Sequence, residues 1–188
     1  MSADSGLLVV NVIDGSSNDN GYLARCRQKH PNHLACHDVQ SMVQVVVNHV
    51  IAQGGMISQL HIFGPGHEGS QAVGGGRHPH PNQKFWVDDK DGKYTAHNCV
   101  FLTPLRDYMT SNAMVLLHGC DVAAASKHGN VGLTLLRHLS DMWGGVRVYG
   151  AVFDQYAHKG GGFHDLYVSA QGQKVHFGGL DQYALTKP

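Results

Sequence analysis

One cysteine of this sequence stands where an enzyme with a parallel sheet would carry a nucleophile. Cys120 lies in the segment Met114–Ala125, separated from the apolar run Met114–Leu117 only by His118 and Gly119. An apolar run of this length that stops at glycine is typical of a central parallel strand. Ligands and reacting groups of open α/β sheets lie at the carboxyl ends of such strands. The pattern therefore predicts that the Cys120 thiol is presented at the rim of a sheet.

A thiol nucleophile needs a histidine that accepts its proton, and two histidines are candidates. His67 follows the predicted strand Ile57–Phe63 on a glycine-rich loop, so it can reach the same sheet edge as Cys120. His118 is close to Cys120 in sequence, but we expect its side chain to point to the opposite face of the sheet. We therefore interpret His118 as a packed or hydrogen-bonded side chain and His67 as the candidate base.

The segment His30–His37 offers a different chemistry, which is metal binding. Its possible ligands are His30, His33, Cys36 and His37. Spacings of three and four residues could bring them to one helical face, and zinc accepts both residue types. Pro31 and Asn32 weaken such a helix, and only His78 and His80 could complete a site from elsewhere. A metal-binding protein is thus an alternative, whereas the thiol interpretation needs no cofactor.

Composition narrows the class of protein. The 188 residues suit one domain, 1–188, with a substantial core. Acidic and basic residues balance at 14 each, which gives no electrostatic case for nucleic acid or an anionic membrane as a partner. The apolar stretch Leu7–Val12 is too short for a signal peptide, and no segment has the length of a transmembrane helix. We predict a protein with four reduced thiols, cytoplasmic or exported without a cleaved signal peptide.

Periodicity and turn signals predict an alternation of strands and helices. The predicted strands are Leu7–Ile13, Ile57–Phe63, Met114–Leu117 and Val146–Val152. The predicted helices are Tyr22–Lys29, Asp38–Gln53, one begun by Thr103 and Pro104 that runs to about Asn112, and Gly129–Trp143. Hairpins are predicted over Lys84–His97 and Leu166–Phe177, and loops over His30–His37 and Val73–Pro81. The order predicts an α/β fold with a mostly parallel central sheet, helices on both faces and β-hairpin insertions.

Two motifs resemble those of the caspase-like superfamily, which includes caspases, gingipains and clostripain. Leu117–Ala123 is similar to the Gly-Cys-Asn-Val-Ala motif of a caspase-like domain found in large bacterial surface and toxin-like proteins. Leu60–Gly74 resembles the histidine segment of the same domain. The two motifs have the family's order, and the match runs over roughly Leu7–Gly150. The resemblance implies a caspase-like three-layer sandwich and a cysteine peptidase that acts on a peptide or protein substrate.

The resemblance also implies roles for individual residues. Cys120 would be the nucleophile and His67 the general base, while the amides of Gly66 and Cys120 would bind the oxyanion. Asp154 and Gln155 fall where the superfamily builds part of its specificity pocket, and we assign Asp121 to the same substrate-binding role.

The sequence departs from the family at the histidine. An alignment without gaps puts the family's catalytic histidine at Pro65, which cannot accept a proton. Either His67 takes the role through a shifted loop, or the domain is catalytically silent and acts as a protein-binding or toxin and effector module. A related acyl transfer, such as deamidation, would use the same pair of residues.

Overall fold

The computed structural model describes residues 6–16, 21–124, 129–152 and 166–176. The strands of these ranges are β1 (Leu7–Asp14), β2 (Leu34–Cys36), β3 (Met56–Phe63), β4 (Gly66–His67), β5 (Ser70–Ala72), β6 (Lys84–Lys90), β7 (Lys93–His97), β8 (Met109–Leu117), β9 (Arg147–Ala151), β10 (Leu166–Ser169) and β11 (Lys174–His176). The α-helices are α1 (Tyr22–Lys29), α2 (Val39–Gln53) and α3 (Val131–Met142). Two 3₁₀ helices span Pro81–Gln83 and Cys99–Tyr108.

The main sheet has seven strands in the order β11-β10-β9-β8-β3-β1-β2. The pairs from β2 to β9 are all parallel, and β10 and β11 add an antiparallel hairpin at one edge. The predicted α/β class with a mostly parallel sheet is therefore confirmed. β3 and β8 are neighbours at the centre, so the two loops that carry His67 and Cys120 leave the same edge of the sheet.

Helices cover both faces of this sheet. On one face the main core joins α2 and α3 to inward residues such as Val12 and Ile62. On the other face Ile13 and Phe63 pack against Leu23 and Cys26 of α1. Successive residues of β1 and β3 thus point to opposite layers, as the side-chain period of a strand requires. None of the helices within the described ranges combines the length and apolar character needed to cross a membrane.

Helix α2 forms despite its many β-branched residues because both of its ends are well capped. The Asp38 carboxylate accepts a hydrogen bond from the Ser41 amide at 2.7 Å, and the Ser41 hydroxyl accepts one from the Asp38 amide at 3.0 Å. This reciprocal capping box satisfies amides at the start of the helix. Gly54 ends the helix in the left-handed conformation with φ of 65°.

Removal of this cap is expected to have a modest effect on stability. Asp38→Ala leaves the Ser41 amide without its acceptor, and we expect a loss of about 1 kcal/mol, or roughly 3 °C in Tm. Thermal unfolding followed by circular dichroism measures it. Asp38→Asn, which keeps an acceptor oxygen, is the matched control, and an equal loss in both variants would contradict the capping role.

A second, antiparallel sheet in the order β4-β5-β6-β7 is inserted between β3 and β8. The predicted hairpin over Lys84–His97 is confirmed as β6 and β7, joined at Asp91 and Gly92 with φ of 56° and 77°. The hairpin of β4 and β5 lies where the sequence predicted only loop. It turns at Glu68 and Gly69, and Gly69 has φ of 69°. β4 and β5 have only two and three residues, which is too short for the alternating pattern by which a strand is predicted from sequence.

Two further expectations are corrected. The predicted helix from Thr103 to Asn112 is wrong, because a 3₁₀ helix ends at Tyr108 and β8 begins at Met109. Pro104 lies inside that 3₁₀ helix, not at the first position of an α-helix, and it has no amide to donate. The predicted loop over His30–His37 contains β2, which pairs with the end of β1.

Candidate functional site

The candidate site is built where β3 and β8 end side by side. Ile62 of β3 is paired with Leu117 of β8, and the His118 amide donates to the Ile62 carbonyl at 2.9 Å. The loop after β3 and the loop that carries Cys120 therefore start from adjacent points of one sheet edge. This placement agrees with the expectation that Cys120 lies at the rim of a parallel sheet.

The two loops touch through their backbones at a pair of glycines. A Cβ atom at Gly66 would lie 2.8 Å from the Gly119 Cα and 2.9 Å from the Cys120 carbonyl oxygen. A Cβ atom at Gly119 would lie 2.9 Å from the Gly66 Cα and 2.7 Å from a methyl carbon of Val122. Real Cβ contacts are longer than this, so only glycine allows the loops to approach so closely.

One buried side chain holds both loops. Gln71 of β5 accepts a hydrogen bond from the Gly119 amide through Oε1 at 2.9 Å. Its Nε2 donates to the carbonyl oxygens of Ala72 at 2.8 Å and Gly64 at 3.3 Å. The side chain is completely buried. No role for Gln71 could be predicted from the sequence, because a single glutamine in a short polar segment carries no recognisable pattern.

Cys120 differs from the other three cysteines in its exposure. It is partly exposed, whereas Cys26, Cys36 and Cys99 are buried. Burial raises the pKa of the Cys99 thiol to about 12 and raises that of Cys36 still further. Both of these thiols are therefore protonated at neutral pH and shielded from reagents. The Cys36 thiol also donates to the Val73 carbonyl at 3.0 Å.

The chain turns after Cys120 and does not enter a helix at once. Asp121 adopts φ of 54°, and the Ala124 amide donates to the Asp121 carbonyl at 2.9 Å. Helix α3 begins only at Val131. Its first turn packs on this segment at Gly132, where a Cβ atom would lie 2.5 Å from the Ala124 carbonyl oxygen. The positive end of α3 thus contacts the turn beyond Cys120, and the helix begins two residues after the predicted Gly129.

The amide of Gly66 lies on the unpaired edge of the inserted sheet. The Ala72 amide donates to the Pro65 carbonyl at 2.8 Å, which makes Gly66 and Gln71 a non-hydrogen-bonded pair of the ladder. The Gly66 amide therefore points away from β5. Since β4 is an edge strand, this amide is directed out of the open edge of the inserted sheet.

His67 reaches the same edge but lies on the outer face of β4. It is exposed and pairs with Ser70, which pairs in turn with Trp86. Directly paired residues share one face of a sheet, so His67 shares a face with Trp86, while Gly66 and Gln71 share the inner face. The contacts with Gly119 and Cys120 are made on that inner face. The structure thus brings His67 next to the cysteine loop, with its side chain on the opposite side of the strand.

A chain of four polar side chains, three of them buried and the fourth, Gln59, partly buried, runs beneath the cysteine loop. The Tyr167 hydroxyl lies 2.6 Å from His118 Nδ1, His118 Nε2 lies 3.0 Å from His61 Nδ1, and His61 Nε2 lies 3.2 Å from the Gln59 side-chain oxygen. Donation from the Tyr167 hydroxyl towards Gln59 satisfies every one of these atoms with neutral imidazoles. The expectation that His118 is a packed, hydrogen-bonded histidine agrees with this arrangement.

Both imidazoles of this chain resist protonation. Burial, with a smaller contribution from nearby His30, lowers the pKa of His61 to about 3. Burial, His61 and His30 lower the pKa of His118 well below its ordinary value. The His118 ring also stacks on Phe63 with centroids 4.2 Å apart, and the Tyr22 hydroxyl donates to the His118 carbonyl at 2.6 Å. Sequence analysis missed His61, Tyr167 and Gln59 because the pair Gln59 and His61, the residue His118 and the residue Tyr167 are far from one another in the chain.

The possible metal ligands of His30–His37 do not converge. The Cys36 thiol is directed to the Val73 carbonyl and the His33 ring to the His30 carbonyl at 2.8 Å, while the His30 ring packs at a tilt against Phe63. No group of three or more histidine, cysteine, aspartate or glutamate residues in the described ranges is arranged to hold a metal ion. The structure therefore does not bring together the predicted zinc ligands. Asp154 and Gln155 lie outside the described residues.

Comparison with known proteins identifies no relative, because no family model, curated protein or solved structure matches this chain.

Proposed function

We propose that the chain is a caspase-like domain that acts as a cysteine peptidase, or as a related thiol acyl-transfer enzyme, on a peptide or protein substrate. The observation that carries the proposal is the contact of Gly66 with Gly119 and Cys120. This contact supports the proposal because it joins the backbone of Cys120, the one partly exposed cysteine of the described residues, to that of Gly66 near the carboxyl ends of two parallel strands. Four free cysteines suit a reducing compartment such as the cytoplasm.

In this proposal each residue has one task. The Cys120 thiolate attacks the carbonyl carbon of the substrate, and the amides of Gly66 and Cys120 stabilise the negative charge that develops on the oxygen. His67 accepts the thiol proton and returns it to the leaving amine. Asp121, Asp154 and Gln155 contact the substrate. His67 must turn round the edge of β4 to reach the thiol, because its strand places it on the outer face.

Selective alkylation tests the nucleophile. We expect iodoacetamide to label Cys120 at least about tenfold faster than Cys36 or Cys99, because burial keeps those thiols protonated. Peptide mapping by mass spectrometry after timed quenching gives the four rates. Cys120→Ser should remove the fast phase and leave the slow ones unchanged. Equal rates at all four cysteines would overturn the assignment.

A catalytically silent, protein-binding domain is the second candidate, and Pro65 together with the outer position of His67 favours it. His67→Asn separates the two. If His67 is the base, the variant loses the enhanced alkylation of Cys120 at neutral pH and regains it only as the pH rises towards the ordinary thiol pKa. If the domain is silent, His67→Asn changes nothing, and Pro65→His is the variant in which a new reactivity is expected.

A further inference from the structure

We propose that Gln71 is the positioning residue of the Cys120 site: its one side chain sets the distance between the cysteine loop and the loop that carries the Gly66 amide. The inference rests on the proposed function, because it gives a task in that same reaction to a residue outside the proposed dyad.

The Gln71 side chain forms hydrogen bonds with both loops of the site. Oε1 accepts from the amide of Gly119, which is the residue before the nucleophile. Nε2 donates to the carbonyl of Gly64, two residues before the proposed oxyanion donor Gly66, and to the carbonyl of Ala72. Acceptor and donor ends of one amide therefore hold the two loops at a fixed spacing. An oxyanion site needs its two donors in a fixed relation to the attacking atom.

Gln71 occupies a buried position among apolar side chains. It lies on the inner face of the inserted sheet, directly opposite Phe85, and both side chains are completely buried. Such a position is normally apolar, since burial of an amide costs free energy unless all its groups are paired. Only an amide of this length serves an amide donor and two carbonyl acceptors at once. The polar residue at an apolar position thus fits a role in holding the loops.

A pair of probes separates positioning from simple loop stability. Iodoacetamide alkylates the Cys120 thiolate by displacing iodide and does not need an oxyanion site. With p-nitrophenyl acetate the thiolate sulfur attacks the ester carbonyl, an S–C bond forms, and p-nitrophenolate leaves with the electron pair of the broken C–O bond. This second reaction passes through an oxyanion. Both reactions depend equally on the fraction of Cys120 that is ionised and on its accessibility, so these factors drop out of the ratio of the acylation rate to the alkylation rate. The ratio therefore measures the contribution of the oxyanion site.

Two substitutions at Gln71 give different expected results. Gln71→Leu should lower the ratio about tenfold or more, because the donors are no longer held in place. Gln71→Glu keeps the acceptor for Gly119 but, when ionised, has no donor for Gly64 and Ala72. Burial raises the pKa of a carboxyl group, so this ratio should be low at about pH 9 and recover as the pH falls towards about 6. Protonation of the introduced carboxyl group restores a donor, so the same Gln71→Glu variant shows both the loss of the ratio at high pH and its recovery at low pH.

Gln83→Glu is the matched control. Gln83 also joins two backbone segments, accepting from the His80 amide at 2.8 Å and donating to the His37 carbonyl at 3.2 Å, but these bonds are exposed and do not involve the cysteine loop. Its ratio should equal that of the wild type at every pH. A Gln71→Glu ratio that follows the Gln83→Glu ratio, or a Gln71→Leu ratio equal to that of the wild type, would overturn the positioning role.

Hydrogen exchange of the Gly119 amide keeps this test independent of the enzymatic proposal. Gln71→Leu should speed that exchange about tenfold, since the amide loses its acceptor. If wild-type Cys120 is alkylated but never acylated, the proposed function fails. In that case the hydrogen exchange of the Gly119 amide alone tests the positioning role of Gln71. An unchanged exchange rate at Gly119 in the Gln71→Leu variant overturns that role.

Discussion

Acidification from about pH 7 to about pH 4.5 is expected to lower the free energy of unfolding by about 5 kcal/mol through two buried histidines. In the folded protein the pKa of His61 is lowered to about 3 and that of His118 well below the ordinary 6.5. The unfolded chain binds protons on both as the pH falls through 6.5, while the folded chain does not. Each histidine therefore removes about 1.4 kcal/mol per pH unit below the unfolded pKa.

The direction of this effect follows from the environment of the pair. The titratable groups near the imidazoles of His61 and His118 are those of His30, Tyr22 and Tyr167. In the described contacts, no carboxylate offsets a positive charge on either imidazole. Protonation of His61 at Nδ1 would place two donors against each other at its 3.0 Å contact with His118 Nε2, and protonation of His118 at Nδ1 would set a second donor against the Tyr167 hydroxyl at 2.6 Å. Stability is therefore complete above about pH 6.5 and falls steadily below it.

Urea unfolding at a series of pH values measures this slope. His61→Gln removes one of the two titrating groups, so the loss of stability between about pH 6 and pH 4.5 should shrink by about half, whatever the variant costs at neutral pH. His78→Gln, at an exposed position, is the control and should keep the wild-type slope. An identical slope in the His61→Gln variant would show that this pair does not govern acid stability.

Gly66→Ala is expected to separate the two loops of the candidate site. The added methyl group would lie 2.6 Å from a Val122 methyl carbon, 2.8 Å from the Gly119 Cα and 2.9 Å from the Cys120 oxygen, and two of these three atoms belong to the backbone. Such overpacking costs about 3 kcal/mol, or roughly 9 °C in Tm for a chain of this length. The acylation of Cys120 by p-nitrophenyl acetate should fall more steeply than stability does, because the Gly66 amide moves with its loop.

Calorimetry and the acylation rate, measured on the same preparation, test this result. Gly6→Ala is the matched control, because a Cβ atom there meets nothing within 4 Å. The explanation fails if Gly66→Ala leaves both quantities at the values of the Gly6 variant. A loss of Tm with unchanged acylation would place the oxyanion donors elsewhere.

Much of the central sheet could be predicted from the sequence, because its signals are local. The apolar runs of β1, β3 and β9 and the capped pattern of α2 agree with the structure to within a residue or two at most ends. The extra length of β8 could not be predicted in the same way. Its first half, Met109–Asn112, is partly polar and joins the sheet through the pairing of Met109 with Ile57, before the register shifts to the pair of Gln59 and Met114.

The same contrast between local signals and pairing of distant segments applies to the candidate site. The position of Cys120 follows from a strand that stops at glycine, and its partial exposure agrees with that prediction. The hairpin of β4 and β5, which decides the face of His67, depends on pairings between two and three residues and leaves no periodic signal. Gln71 and the chain from Tyr167 to Gln59 are visible only once distant strands are side by side.

The two outermost strands of the main sheet, β2 and β11, have only three residues each. An edge strand offers unpaired backbone groups to any extended segment that meets it, and a short one offers few. The short strand β2 covers only the last three residues of β1, so within the described ranges Leu7–Asn11 has no strand neighbour on that side. Lateral pairing with an extended segment is therefore more open at the first half of β1 than at the short edge strands themselves.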